Sequence, residues 1–116
     1  MRDHRKLNAY HLADEVTLLT YQITAEFPSN EIYGLTSQMR RAGISITSNI
    51  VEGCARETQK EYVRFLVIAF GSLRELQYQF LLALRLRYFK KMKPELYFQK
   101  LTETEKVLSA LIRKLR

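Results

Sequence analysis

Pro28 and Pro94 are the only prolines in this chain of 116 residues, and only four glycines accompany them. Turns draw heavily on those two residue types. The chain therefore has material for few connections and must be built from long elements, which argues for helices. The apolar periodicity agrees. Leu12, Val16, Leu19 and Ile23 recur at spacings of four, three and four, which places them on one face of a helix. Phe27-Pro28 ends that segment, because the residue before a proline is pushed out of the helical region.

Three further helices follow. Ser29 reads as the N-cap of the second, with Glu31 in its first turn where the helix dipole favours an acid. Ile32, Leu35, Met39, Ala42, Ile46, Asn49 and Gly53 then mark one stripe, and Gly53 reads as its C-cap. Thr58 opens the third helix, and Glu61 three positions later completes a capping box. No strong breaker follows until about Tyr88, although Gly71-Ser72 interrupts the good helix formers. Lys93-Pro94 starts the fourth helix with proline at the first helical position, and Tyr97, Leu101, Thr104, Leu108, Leu111 and Leu115 form its stripe. Short connections make consecutive helices antiparallel. The expectation is one all-α domain over residues 1–116, an up-down-up-down four-helix bundle. A chain of this length supports one core and not two.

The third helix bears on assembly. Tyr62 to Phe70, YVRFLVIAF, is apolar at every position but Arg64. A helix apolar all round is buried all round, whereas a helix in a monomeric bundle shows one side to water. Either this segment meets another subunit or the bundle wraps it unusually well, and the first is the expectation. At about 30 residues this helix spans roughly 45 Å, longer than its neighbours. One end should then project, carrying Leu82, Leu84, Leu86, Tyr88 and Phe89. The expected oligomer interface is Tyr62, Phe65, Leu66, Phe70, Leu86 and Phe89, since large exposed apolar patches mark interfaces.

The net charge of +7, with a pI near 9.7, favours an anionic partner. That charge is concentrated. No acidic residue lies between Leu76 and Pro94, where Arg85, Arg87, Lys90, Lys91 and Lys93 contribute five positive charges, and Arg113, Lys114 and Arg116 add three, so the remainder of the chain nets −1. An up-down bundle puts these two clusters at opposite ends. Against Glu26, Glu31 and Glu95 the first end keeps +2, and at the other end Arg2, Arg5, Lys6, Arg56 and Lys60 join the C-terminal three against Asp3, Glu52, Glu57 and Glu61 to leave +4. The eight cations of the two clusters are the expected nucleic-acid-binding residues, with Tyr88, Phe89 and Tyr10 nearby to stack on unpaired bases. The competing reading of the first cluster is a solvated helix end, where cations complement the dipole with no ligand.

Polar residues inside the helices read as structural. Arg40 and Arg41 lie about 100° apart around a helix axis, so one is expected to reach a carboxylate in a buried interhelical or intersubunit ion pair and the other solvent or a partner. Asn49 falls on the apolar stripe, as a buried asparagine fixing register does. Glu52 opposes the dipole at its helix end and calls for Arg56 at i+4. Gly71-Ser72 reads as a close helix–helix contact. Cys54, the only cysteine, reads as a free structural thiol in a short loop. It permits neither an intrachain disulfide nor a cysteine-based zinc cluster, and fits a reducing cytoplasm. The N-terminal MRDHRKLNAYHLADE is charged and has no apolar core, so it is no signal peptide. No apolar run approaches the ~20 residues of a membrane span. Arg5 and His11 match a ribonuclease pair in residue type, but at i,i+6 they diverge by about 120° on a helix. No catalytic residue, metal site or cofactor is expected.

The segments EIYGLTSQMRRA (Glu31 to Ala42), SITSNIVEG (Ser45 to Gly53) and AFGSLREL (Ala69 to Leu76), with Phe27-Pro28, carry a resemblance to a known family. They resemble the small bacterial four-helix bundle proteins encoded in intervening sequences of 23S ribosomal RNA genes. The likeness runs from Leu7 to Leu115, with Gly43 and Cys54 as small departures. It implies a ring-shaped homo-oligomer, a homopentamer. The family is related to an accessory protein of diversity-generating retroelements, a basic barrel-shaped pentamer that binds nucleic acid and a reverse transcriptase. By that similarity the chain is a non-enzymatic, nucleic-acid-binding assembly. The alternatives are a protein adaptor, such as an accessory subunit of a reverse transcriptase or other nucleic-acid enzyme, and an enzyme dependent on His11.

Overall fold

In the computed structural model of the protein, which describes residues 2–116, the backbone forms four α-helices: α1 (Asn8–Thr24), α2 (Leu35–Cys54), α3 (Gln59–Arg85) and α4 (Pro94–Leu115). Two short 3₁₀ turns, His4–Lys6 and Ser29–Glu31, precede α1 and α2. No strand occurs among the described residues. The helices pack as a square: α2 lies between α1 and α3, α4 closes the square against the same two, and the diagonal pairs make no close backbone approach. With three short connections, this is the expected antiparallel up-down-up-down bundle, 43 Å along its longest axis.

Four of the expected stripe positions on α4 (Tyr97, Leu101, Thr104 and Leu108) are buried, and Ile112 joins them in place of Leu111 and Leu115, which sit at the margin. Met39, Ile46, Ile50, Leu66, Leu73 and Leu76 fill the centre with no exposed surface. Each fully buried side chain of this kind contributes about 1.5–3 kcal/mol relative to exposure. Thr20 and Thr24 are also buried, and their hydroxyls donate to the carbonyls of Val16 and Thr20 one turn back at 2.7 Å. That satisfies the donor where no water reaches.

The helix starts follow local chemistry, with one correction. Thr58 caps α3, its Oγ1 accepting the Glu61 N–H at 3.1 Å, and Pro94 occupies the first turn of α4 behind an extended Lys93. Ser29 does not cap α2. That helix begins at Leu35, six residues later, and the Glu31 carboxylate reaches forward to accept the Leu35 N–H at 3.0 Å. The intervening Ile32 is consequently half exposed and not part of the stripe.

Gly53 is corrected too. It has no left-handed conformation and lies inside α2, which runs on to Cys54. A Cβ there would sit 2.9 Å from the Phe65 Cβ and 3.3 Å from the Tyr62 carbonyl, so this glycine lets α2 and α3 approach closely. Gly53→Ala is therefore expected to destabilise the fold by about 1–3 kcal/mol through overpacking, measurable by urea denaturation followed by circular dichroism. Gly71, expected at a close contact, instead faces open space with nothing near it, while its neighbour Ser72 bonds Ser45 across α2–α3 at 2.8 Å.

Candidate nucleic-acid interface

The end of the bundle where α3 turns into α4 is held by an unusual helix stop. The Tyr88 N–H bonds back to the Ala83 carbonyl and the Arg87 N–H to Leu84, both at 3.0 Å, and Arg87 takes φ 60. This is a Schellman motif with arginine where glycine is usual. α3 thus stops at Arg85, short of the expected Tyr88, and the chain folds back instead of projecting. Removing the Cβ strain is worth roughly 1 kcal/mol. Arg87→Gly is accordingly expected to raise the melting temperature by a few degrees, about 4–8 °C per kcal/mol in a chain near this size, and differential scanning calorimetry reads it directly.

Two acids organise the rest of the turn. Glu26, just past α1, accepts the backbone N–H groups of Lys90, Lys91 and Met92 on one oxygen, at 3.2, 2.9 and 3.5 Å. The Lys91 N–H is the main cause that holds the Glu26 carboxyl below the ordinary glutamate range. Glu31 accepts the Leu35 N–H and, on its other oxygen, the Tyr88 hydroxyl at 2.8 Å, which lower its pKa in that order. The same bond pushes the Tyr88 phenol up. Both acids are thus occupied with donors of the backbone and of Tyr88. The side chains of Arg85, Arg87, Lys90, Lys91 and Lys93 are all exposed, and none joins an ion pair among the described residues.

The aromatic residues expected to stack on bases are committed elsewhere. Phe89 packs edge-on to Phe80 and Phe27, at 5.5 and 6.3 Å between ring centroids, and Tyr88 tilts against Phe27 at 5.2 Å. Tyr10, at the opposite end, lies between His4 and His11 at 4.8 and 5.1 Å. All three are half-buried.

At that opposite end Arg113, Lys114 and Arg116 are exposed, with Arg113 donating to the Ser109 hydroxyl at 2.7 Å. Arg2 lies over the Tyr62 ring at 4.3 Å and donates to the Arg56 carbonyl, and Arg56 lies over Phe65 at 4.5 Å. Glu52 therefore does not obtain the expected Arg56 partner. Arg5 is bound to Asp3 at 2.9 Å, and the His11 ring meets the Arg5 carbonyl at 2.7 Å.

The remaining polar residues depart from expectation in instructive ways. Arg41 does reach a carboxylate, Glu75 on α3, but the pair is about half exposed rather than buried, with side-chain accessibilities of 54% and 40%. Such a surface pair contributes little. Arg40 lies over the Tyr21 ring and donates to Thr24 at 2.9 Å, tying α2 to α1. Asn49 is only half-buried and bonds within its own helix, to the Ser45 carbonyl at 2.7 Å, so it fixes no register directly. Cys54 is not in a loop but buried in the last turn of α2, where burial pushes its thiol up.

The expected interface residues divide. Tyr62 and Leu66 are 3% and 0% exposed and belong to the protomer's own core, because α2 and α4 cover that side of α3. Phe65, Phe70 and Phe89 are half-buried, and Leu86 is open to solvent. On the apolar run itself, Val67 and Ile68 stay about 40% exposed on the outer flank of α3. Apolar surface also appears on two walls, where Ile32, expected on the buried stripe of α2, and Leu84, expected on a projecting end, join residues the periodicity had not singled out. Tyr21, Ile32 and Ile44 line a groove between α1 and α2, and Leu81, Leu84 and Phe98 line one between α3 and α4. Because α1–α2 and α3–α4 are opposite sides of the square, these grooves occupy opposite walls of the bundle.

Among the described residues no group of three or more His, Cys, Asp or Glu side chains is placed to hold a metal ion, and no helix is long and apolar enough to cross a membrane. What fold and site define is a class: an antiparallel four-helix bundle with cationic ends and uncovered apolar walls. The chain belongs to the 23S rRNA-intervening sequence protein family, whose sequence model matches residues 5–110. The fold is similar to the crystal structure, at 1.70 Å resolution, of a protein with unknown function from the S23 ribosomal protein family of Bacteroides thetaiotaomicron VPI-5482. That likeness has a TM-score of 0.81 at 22% identity and covers 90% of this chain and 95% of the other. No curated protein matches significantly.

Proposed function

We propose that this protein is a non-enzymatic, cytoplasmic nucleic-acid-binding assembly in which several copies pool their cationic ends. One observation carries the reading. Five exposed cations crowd one turn with no ion-pair partner among the described residues, and of the three acids at this end Glu26 and Glu31 are occupied with backbone N–H donors and Tyr88, while Glu95, exposed in the first turn of α4, offsets one charge. Charge kept uncompensated in one place attracts phosphate, and attraction scales with the number of contacts made. The family name, which refers to ribosomal RNA genes, agrees with RNA as the ligand.

Self-assembly is supported by the two apolar walls. They lie on opposite sides and differ in composition, so one wall of a copy meets the other wall of the next in a head-to-tail contact. Such heterologous contacts close into rings when the rotation allows. We take the closed form to be a homopentamer. The test is a titration of RNA and DNA oligonucleotides across salt concentrations, with oligomer mass measured by native mass spectrometry. Binding that tightens steeply as salt falls, by a species of five-chain mass, is the expected result. Absence of binding at low salt removes the reading. A second reading, a protein adaptor for a reverse transcriptase or related enzyme, is favoured by Leu86, which is 46% exposed beside the basic turn. It predicts partner binding that is weakly sensitive to salt and lost on changing Leu86.

A further inference from the structure

Tyr33 is 94% exposed, far more than any other large apolar or aromatic side chain among the described residues, the next being 59%. It stands on the turn between the Ser29–Glu31 3₁₀ helix and α2, at the same end of the bundle as the basic α3–α4 turn. Its ring packs on no aromatic neighbour and its hydroxyl has no hydrogen-bond partner among the described residues. By contrast Tyr88, Phe27, Phe89 and Phe80 pack in series, Phe98 stacks on Phe80, and Tyr21 lies under Arg40.

The backbone under Tyr33 is nonetheless firmly held. The Gly34 N–H closes a turn onto the Glu31 carbonyl at 2.9 Å, with Tyr33 as its third residue. The Glu31 carboxylate ties that turn forward to Leu35 and across to Tyr88, which belongs to the cationic turn itself. Two residues of chain reach no further than about 7 Å, so the Tyr33 Cα lies within that distance of the Glu31 Cα, whose side chain makes the bridge to Tyr88. A solvated aromatic ring on a braced turn, next to a patch of unpaired cations, supplies both things a single strand offers partners for. The cations take phosphates and the ring takes the face of a base. A continuous duplex exposes phosphates but no free base face inside its stack.

We propose that Tyr33 stacks on an unpaired base of a strand whose phosphates lie along the Arg85–Lys93 turn, so that single-stranded or looped nucleic acid is the preferred ligand of this end. This rests on the nucleic-acid reading above and deepens it. The test compares a homopolymeric single-stranded oligonucleotide with a blunt duplex of equal length, on full-length protein, for wild type, Tyr33→Ala and Tyr33→Phe. Tyr33→Ala is expected to weaken single-strand binding about 10-fold, the loss of one base–aromatic stack. Duplex affinity, the salt slope and the oligomer mass should not move, and Tyr33→Phe should restore single-strand binding. Equal effects of Tyr33→Ala on both probes, or no effect on either, would overturn the proposal while leaving nucleic-acid binding intact. A fall in oligomer mass would overturn it in favour of a subunit contact. If wild type binds neither probe at low salt, the nucleic-acid reading fails and this inference with it.

Discussion

Reversing Lys90 and Lys91 to glutamate is expected to reduce affinity for any nucleic acid on the order of 100-fold at low salt, because each protomer exchanges two phosphate-seeking charges for two repelling ones. Both side chains are exposed and neither joins an ion pair among the described residues. Their backbone N–H groups, not their side chains, hold Glu26. The fold therefore has little to lose from the exchange, and circular dichroism melting should stay close to wild type. Neutralising the same pair to glutamine separates attraction from repulsion. The slope of log affinity against log salt should fall by about 2 for each protomer in contact with the strand, one for each lost phosphate contact. An unchanged slope, measured by fluorescence anisotropy over a salt series, would place the binding surface elsewhere.

The largest stability effect is expected at Tyr97. Its side chain is wholly buried, its ring lies 5.4 Å from Phe80 and 6.5 Å from Phe89, and its hydroxyl meets Thr20 Oγ1 at 2.6 Å. The Thr20 proton goes to the Val16 carbonyl, so Tyr97 is the donor in that bond. Burial holds its phenol well above the ordinary tyrosine range. Tyr97→Ala opens a cavity where α1, α3 and α4 meet and should cost about 3–5 kcal/mol, the range of large aromatic truncations. Tyr97→Phe keeps the ring and loses one hydrogen bond, for about 1 kcal/mol. Urea denaturation of the two variants distinguishes packing from bonding: similar losses would mean that the hydroxyl, not the ring, holds α4 to α1.

Much of the bundle was legible because local chemistry and long-range packing agree. The spacing of Leu12, Val16 and Ile23 marks the buried face of α1, and Thr58 and Lys93-Pro94 set the starts of α3 and α4. The site was less legible. The cations could be counted, but that they are free depends on Glu26 and Glu31 being occupied by donors up to 66 residues away. Tyr33 gives no signal in the sequence at all. Seven tyrosines occur, and nothing local separates Tyr33, the most exposed of them, from Tyr88, tied to Glu31.

What the sequence by itself determined is the number and order of the helices and most of the inward stripes of α1, α2 and α4, since apolar periodicity, proline and capping residues act over a few positions. Tertiary structure alone decided which apolar residues remain outside. Tyr62 and Val67 are equally apolar to the eye on one helical run, yet one is sealed and the other is not, because only the neighbours' placement covers a surface. It decided likewise that Gly53 serves close packing rather than a helix stop, for a Cβ at that point meets a side chain from the next helix and no local rule anticipates it.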